Sequence, residues 1–588
     1  MQEWGITMKT WKKQSFVLLI AFLVVAIAVA CTDGTEQGSD TTTGAQTTVG
    51  TETDAATTEA ETQATSPTGI TLKAENGDTI TDTKLHAWFE YGSNLTRRDN
   101  FTVGSDSSIA ISMAKNEYEG FQLLLASTMD YEGLRCEVSD LTDGKGNTLT
   151  GEVNVTFNTL IKSAGGSSGF RGFTPTAFMS QDDSYVGGSF DVIAGRSKTL
   201  YVLYQTDANT VAGVYTGRLE IKQGDTVLFA GDVSVTVWDL YYDEATVGIH
   251  MFGYGYSYDT WEKPGPASAP DMRSDYPELM EVYCDALVDY RITPYRLPVG
   301  EYGVLDEKAA KYLDNPRVSL TVLWADQHRD LGIQYFEAEE RGWLDKIAFI
   351  EYDEPHEQDH ITYILRDAAT INRRFPTTNH FNAMLCDLPK DGKNIVERLS
   401  AISTLHCMVQ KAFDGELAET MLRLKEERGD TIMWYVCGDE PSTMIDGLPC
   451  IPGTEKRVLF WSQYLHNLDG FLMWQTCMWE GQDDIWEEGY EEQRLRPTTD
   501  NGPTANGVFL YWHPETKMPV YTIGLEAMRD GIEDFQLLSM AKEVLGDEAV
   551  MSYVNQVVTS RTEYTKDADV LMQVRNALAE ALLAATAA

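Results

Sequence analysis

The stretch Ile347-Ala348-Phe349-Ile350-Glu351-Tyr352-Asp353-Glu354-Pro355 runs an apolar segment of strand length straight into paired carboxylates. It is one of eight such runs downstream of Tyr242, at 247–254, 292–297, 318–323, 347–352, 380–384, 404–409, 431–436 and 471–476. The third is the least strand-like. Amphipathic segments such as 271–289 and 417–428 lie between them. Strands alternating with helices predict a (β/α)8 TIM-type barrel over 242–515, followed by a C-terminal helical segment over 516–588. Chemistry in such barrels gathers at the C-terminal ends of the strands, so the residues that close each run carry most of the functional information.

Upstream, residues 69–241 have a different rhythm. Short runs alternate apolar and polar residues between Gly, Asn and Asp, as in Phe121-Gln122-Leu123-Leu124-Leu125 and Val153-Asn154-Val155-Thr156-Phe157. Gly224-Asp225, followed by Val227-Leu228-Phe229 and then Val233-Ser234-Val235-Thr236-Val237, reads as a hairpin. The region is expected to be a β-sandwich, either a scaffold packed on the next domain or a carbohydrate-binding module. A multidomain chain fits the length: 588 residues exceed the roughly 250–300 that a single core organises.

The formal net charge of −44 excludes a phosphate-reading nucleic-acid binder, which needs a basic face. It also disfavours electrostatic docking on anionic lipid, while leaving a covalent anchor open. Such an anchor is suggested by residues 1–30. Lys9, Lys12 and Lys13 precede an apolar run over 16–30 that ends Ala28-Val29-Ala30 before Cys31. This is the pattern of an export signal, and the run is shorter than the ~20 residues of a membrane-spanning helix. A plain signal peptide would account for it. The cysteine placed directly after small residues resembles the lipobox of bacterial lipoproteins, which implies lipidation of Cys31 and attachment to the bacterial cell surface. Residues 32–68 hold fourteen threonines, seven acids and no Lys or Arg, so 31–68 is expected to be a disordered tether. The remaining cysteines, Cys136, Cys284, Cys386, Cys407, Cys437, Cys450 and Cys477, show neither metal-ligand spacing nor a disulfide framework.

A second Asp-Glu-Pro, Asp439-Glu440-Pro441, closes the seventh run. Three uses of such triplets stay open on the residues alone. Adjacent Asp353 and Glu354 suit hydrolysis of a 2-acetamido sugar, in which the acetamide oxygen attacks the anomeric carbon: one carboxylate orients the acetamide and the other is acid, then base. Alternatively Glu354 and Glu440 act together as acid/base and nucleophile on a sugar without an acetamide, about 5–5.5 Å apart. Or each triplet is a turn in which Asp caps the next helix and Pro starts it.

Gly342-Trp343-Leu344-Asp345-Lys346 followed by Tyr352-Asp353-Glu354-Pro355 resembles the catalytic segment of glycoside hydrolase family 123, the β-N-acetylgalactosaminidases. Asp469-Gly470-Phe471-Leu472-Met473-Trp474 resembles the family's last barrel strand. Leu525-Glu526-Ala527-Met528-Arg529-Asp530-Gly531-Ile532-Glu533-Asp534-Phe535 resembles its C-terminal helical signature. The resemblance implies Glu354 as general acid/base, Asp353 as the residue that orients the acetamide, retention of configuration, and no metal or organic cofactor. Two departures bear on substrate specificity: Gly524 stands where an arginine is expected, and 311–334 matches poorly.

Six of the thirteen tryptophans fall between Trp434 and Trp512. Aromatic faces stack on the C–H faces of sugar rings. Tyr435 and Trp474 are therefore expected as pocket walls, with Trp434 and Tyr352 as further substrate-binding residues and Trp479, Tyr254, Tyr256 and His380 as lesser rim candidates. Trp461, in a predicted helix, is expected to be core. The leading expectation is an exported, surface-tethered enzyme that removes terminal β-linked N-acetylgalactosamine from GalNAc-terminated glycans, neutral ones being favoured by the acidic surface. The alternatives are the Glu354/Glu440 glycosidase and a non-catalytic surface glycan-binding lipoprotein.

Overall fold

The computed structural model describes residues 69–161, 172–254, 269–270, 277–300, 303–324, 328–436, 445, 447, 451–478, 486, 494–495 and 507–587. They fall within one compact unit, Gln63–Ala588. Cys31 and the tether lie outside the described residues, as do Asp439, Glu440, Trp479 and Tyr256.

The N-terminal part contains strands β1 (His86–Tyr91), β2 (Ser108–Lys115), β3 (Tyr118–Ala126), β4 (Tyr131–Val138), β5 (Gly151–Ile161), β6 (Gly172–Ser180), β7 (Phe190–Val192), β8 (Lys198–Gln205), β9 (Gly213–Gln223) and β10 (Thr226–Tyr241). One sheet runs in the order β6-β5-β8-β3-β1 and the other β7-β4-β9-β10-β2. Phe89, Phe121, Leu123 and Leu200 of the first meet Ile111, Leu219 and Val235 of the second in one buried core. The expected hairpin is present: β9 and β10 pair antiparallel with Gln223 opposite Thr226, leaving Gly224-Asp225 as a two-residue turn. Gly224 has φ +56, which glycine adopts without a Cβ penalty.

Phe157, Ala177 and Met179, on the first sheet, join the apolar core of the α/β part, so that sheet packs directly on it. In that part, strands β11 (Ile249–Phe252), β12 (Thr293–Pro294), β13 (Thr321–Trp324), β14 (Ile347–Ile350), β15 (Asn379–His380), β16 (Ala383–Met384), β17 (Leu405–Val409), β18 (Thr431–Val436) and β19 (Gly470–Met473) are parallel. They form two arcs, β12-β11-β19-β18-β17-β16 and β13-β14-β15. The continuous eight-stranded ladder expected from the sequence is thus interrupted twice. Pro294 ends β12 and has no N–H to carry the ladder on, although Val322 N donates to Tyr295 O at 2.9 Å across the gap. The fifth run breaks into β15 and β16: Phe381 N still donates to Phe349 O of β14 at 2.9 Å, whereas β16 pairs with β17.

Helices α1 (Pro277–Asp289), α2 (Glu307–Leu313), α3 (His328–Arg341), α4 (Gln358–Asn372), α5 (Ile395–Leu399), α6 (Gly415–Arg428) and α7 (Gly453–Leu465) alternate with these strands. The connection through α6 shows why. Asp414 caps its first turn, Leu417, Thr420, Met421 and Leu424 form its buried face, and Gly429 closes it in the left-handed conformation at φ 75. Strand β18 follows at once, buried on both faces as a parallel strand between layers must be. Helices α8 (Ile523–Leu545), α9 (Asp547–Val557) and α10 (Ala568–Thr586) complete the chain.

Candidate active site

At the end of β14 the chain turns out of the sheet through Glu351, Tyr352, Asp353 and Glu354. Glu354 has φ +48, a left-handed conformation uncommon for a residue with a side chain. His356 Nδ1 lies 2.9 Å from the Glu354 carbonyl oxygen and closes this turn. The Glu354 carboxyl is held from elsewhere: the Tyr435 hydroxyl, carried by β18, donates to Glu354 Oε1 at 2.8 Å. The structure thus joins strand ends four and seven through a phenol and a carboxylate that are 81 residues apart in the chain.

Asp353 presents surface to water, yet protein crowds its other sides. Desolvation and the adjacent Glu354 charge push its carboxyl up to about 6, against the opposing pull of Arg296. Asp353 also lies within electrostatic reach of Tyr295, just past β12, and of Cys407 on β17. Burial, then the Asp353 charge, keeps both groups protonated. Cys386, past β16, feels burial, Asp387 and Glu354, each of which raises its thiol.

The other candidates separate by strand face. Tyr435 reaches Glu354, whereas Trp434, one residue earlier, is fully buried on the opposite face against Phe413 and His466. Trp434 is therefore a packing residue between strand and helix layers, a correction to its expected place in the pocket. Tyr352 is partly buried, stacks on His360 at 4.2 Å between ring centroids and shares a 2.8 Å hydrogen bond with it. Trp474, at the end of β19, is partly buried with its ring against Gly507. His380 is no rim residue: it is fully buried, 2.5 Å from Glu351 Oε1 and 2.7 Å from Asn372 Oδ1. Tyr254 is buried beside Cys284 and Tyr312. Trp461 is core as expected, donating to Asp534 at 2.9 Å. Among the described residues no cluster of His, Cys, Asp or Glu could hold a metal ion.

Tyr295 and Arg296 were not singled out by sequence. Their signal was positional, since both close the 292–297 run.

The 525–535 motif lies in α8, where its charges are buried. Arg457 of α7 binds Asp534 at 2.7 Å and Glu119 of β3 at 3.0 Å, and Arg575 of α10 binds Asp534 at 2.6 Å. Arg575 also pairs with Glu117, Arg529 with Glu526, and Arg291 with Glu533. Each of these groups is almost wholly enclosed. The motif fastens sheets, strand–helix layers and C-terminal helices together and takes no part at the carboxylates. Gly524 opens instead onto a small cavity with Lys456, Phe509 and Pro175 among its walls.

Comparison with known proteins places these features. Residues 331–541 match the glycoside hydrolase 123 catalytic domain, a segment that includes Asp353, Glu354, Tyr435, Trp474 and the α8 motif. A solved family 123 glycoside hydrolase from Clostridium perfringens, described for glycolipid glycan hydrolysis, superposes with a TM-score of 0.60 at 11% identity, covering 86% of this chain and 100% of that one. At that identity the likeness speaks for the fold. A family 39 glycoside hydrolase from Bacteroides cellulosilyticus overlaps far less well, with a TM-score of 0.29 at 11% identity over 68% of this chain and 80% of that one. No curated protein matches the chain. Residues 331–541 thus match the catalytic domain of glycoside hydrolase family 123, and the fold is shared with a solved member of that family.

Proposed function

We propose that this glycosidase removes terminal β-linked N-acetylgalactosamine with retention, the substrate's own acetamide serving as nucleophile. The observation that carries the reading is the juxtaposition at the end of β14: Glu354 held by Tyr435, with Asp353 beside it and pushed up to about 6. Protonated Glu354 gives its proton to the glycosidic oxygen as the C1–O bond breaks and the acetamide oxygen bonds to C1. Ionised Asp353 accepts from the acetamide N–H and stabilises the oxazolinium cation. Water then attacks C1, its proton passes to Glu354, and the bond from C1 to the acetamide oxygen breaks.

The accompanying fold reading is a (β/α)8 barrel whose mouth carries Asp353 and Glu354. The accompanying localisation is export, lipidation at Cys31 and display at the bacterial surface on the 32–68 tether. GalNAc-capped glycans are the proposed substrates, and the glycolipid activity described for the Clostridium perfringens enzyme makes glycolipid headgroups the first natural ones to try.

The test uses aryl β-GalNAc substrates and a thiazoline analogue of the oxazoline. Turnover by the wild type, its loss in Glu354→Gln and Asp353→Asn, and tight thiazoline inhibition are expected. Covalent trapping of a carboxylate by a 2-fluoro sugar would overturn the substrate-assisted route. Turnover of aryl β-glycosides without an acetamide, in preference to aryl β-GalNAc, would overturn the substrate class.

A further inference from the structure

Glu354 is fixed at two points. Its backbone occupies a left-handed conformation closed by His356 and followed by the buried Pro355. Its carboxyl accepts from Tyr435, whose ring is 2% exposed and so has little freedom to swing into water. Tyr435 is itself set by β18, in register with Val409 and Leu472 of the flanking strands, with Trp434 packed on the reverse face. A phenol so placed does something a stacking wall does not: it selects one oxygen of the carboxyl.

We propose that Tyr435 is a positioning residue for the proton transfer, its hydroxyl engaging Glu354 Oε1 so that Oε2 carries the transferred proton. The inference rests on the reading of Glu354 as acid/base. In the first step the Oε2–H bond breaks, the proton goes to the departing glycosidic oxygen, and the electron pair stays on the carboxylate. The Tyr435 proton remains on the phenol and its hydrogen bond stabilises the new charge. In the second step Oε2 takes a proton from the attacking water. Tyr435 neither gains nor loses a proton over the cycle. The bond also restricts the rotamer of Glu354, and an acid must keep one orientation to act.

The test is a leaving-group series. The full chain and its Tyr435→Phe and Glu354→Gln variants are assayed on aryl β-GalNAc substrates spanning acidic to weakly acidic phenols. Tyr435→Phe keeps the ring and its packing. Its kcat is expected to fall about ten- to a hundredfold on the poorest leaving groups, the effect of one charge-assisted hydrogen bond. On the best, which need little protonation, the fall is only a few-fold, so the slope steepens while KM stays put. A pocket wall would instead shift KM alike across the series. Incorporating 3-fluorotyrosine at 435, which preserves the donor, is expected to keep the wild-type slope, and a slope steepened there would overturn the inference even if the phenylalanine variant folds poorly. An unchanged slope in Tyr435→Phe, with Glu354→Gln still inactive on poor leaving groups, overturns this inference alone. Retained activity of Glu354→Gln on those substrates overturns the acid/base assignment and the inference with it.

Discussion

Replacing Arg457 with methionine tests the reading that the α8 motif is structural. Arg457 is 1% exposed and makes contacts to Asp534 at 2.7 and 3.0 Å, to Glu119 at 3.3 and 3.0 Å and to Asp530 at 3.3 Å. Its removal does not strand all three acids. Asp534 keeps Arg575 at 2.6 Å and Trp461 at 2.9 Å. Asp530 is held protonated, its carboxyl pushed well up by burial and by Glu119. Glu119 is left the least compensated, because its remaining salt bridge is to Arg575 at 3.8 Å. A carboxylate left buried and charged costs about 3–5 kcal/mol. The expected destabilisation relative to wild type is therefore about 3–5 kcal/mol. Urea unfolding followed by tryptophan fluorescence measures it, and adding Glu119→Gln should return most of the loss. A deficit under about 1 kcal/mol would refute the assignment of a stranded Glu119.

Other consequences are open to measurement. Asp353 must be ionised to orient the acetamide, and with its carboxyl at about 6, kcat/KM should fall about tenfold per pH unit below that value. Asp353→Asn should abolish this limb along with most activity, and a limb near 4 in the wild type would contradict it. Burial pushes Glu117 up to about 8 and Glu533 to about 7, so the folded chain keeps protons that the unfolded one releases. The same Arg575 contact that keeps the arginine charged does not outweigh burial for Glu117. Stability should therefore be fully present below about pH 4.3 for these two groups and decline as pH rises through 7 and 8, by about 1.4 kcal/mol per unit per group at most. Glu117→Gln should flatten the decline in urea midpoints, and a wild type with no decline would sink the idea. Trp434→Phe should lower stability by about 1–2 kcal/mol with KM unchanged, whereas Trp474→Ala should raise KM if that ring bounds the sugar. A reversed pattern would show that the two tryptophans have been assigned to the wrong faces.

Much of the fold was legible because its signals are local. The Gly224-Asp225 turn, the α6 face from Leu417 to Leu424 and the long apolar runs at β17 and β18 each depend on residues close in the chain. The ladder breaks at Pro294 and at Phe381 depend on which neighbour offers a donor or acceptor, so the eight runs suggested more continuity than the two arcs possess. The α8 motif misleads in the same way. Five charges on one helix look like a solvated face until their partners, Arg291, Arg457 and Arg575, arrive from elsewhere in the chain.

The amino-acid order by itself determined that Asp353 and Glu354 stand together at the end of an apolar strand, since adjacency and hydrophobic run are properties of the chain alone. Tertiary structure decided the rest of the site. In 431–436 both faces of the strand are buried, so no alternation of polar and apolar residues tells which side faces Glu354. Only the register with β17 and β19 turns Tyr435 towards Glu354 and Trp434 away.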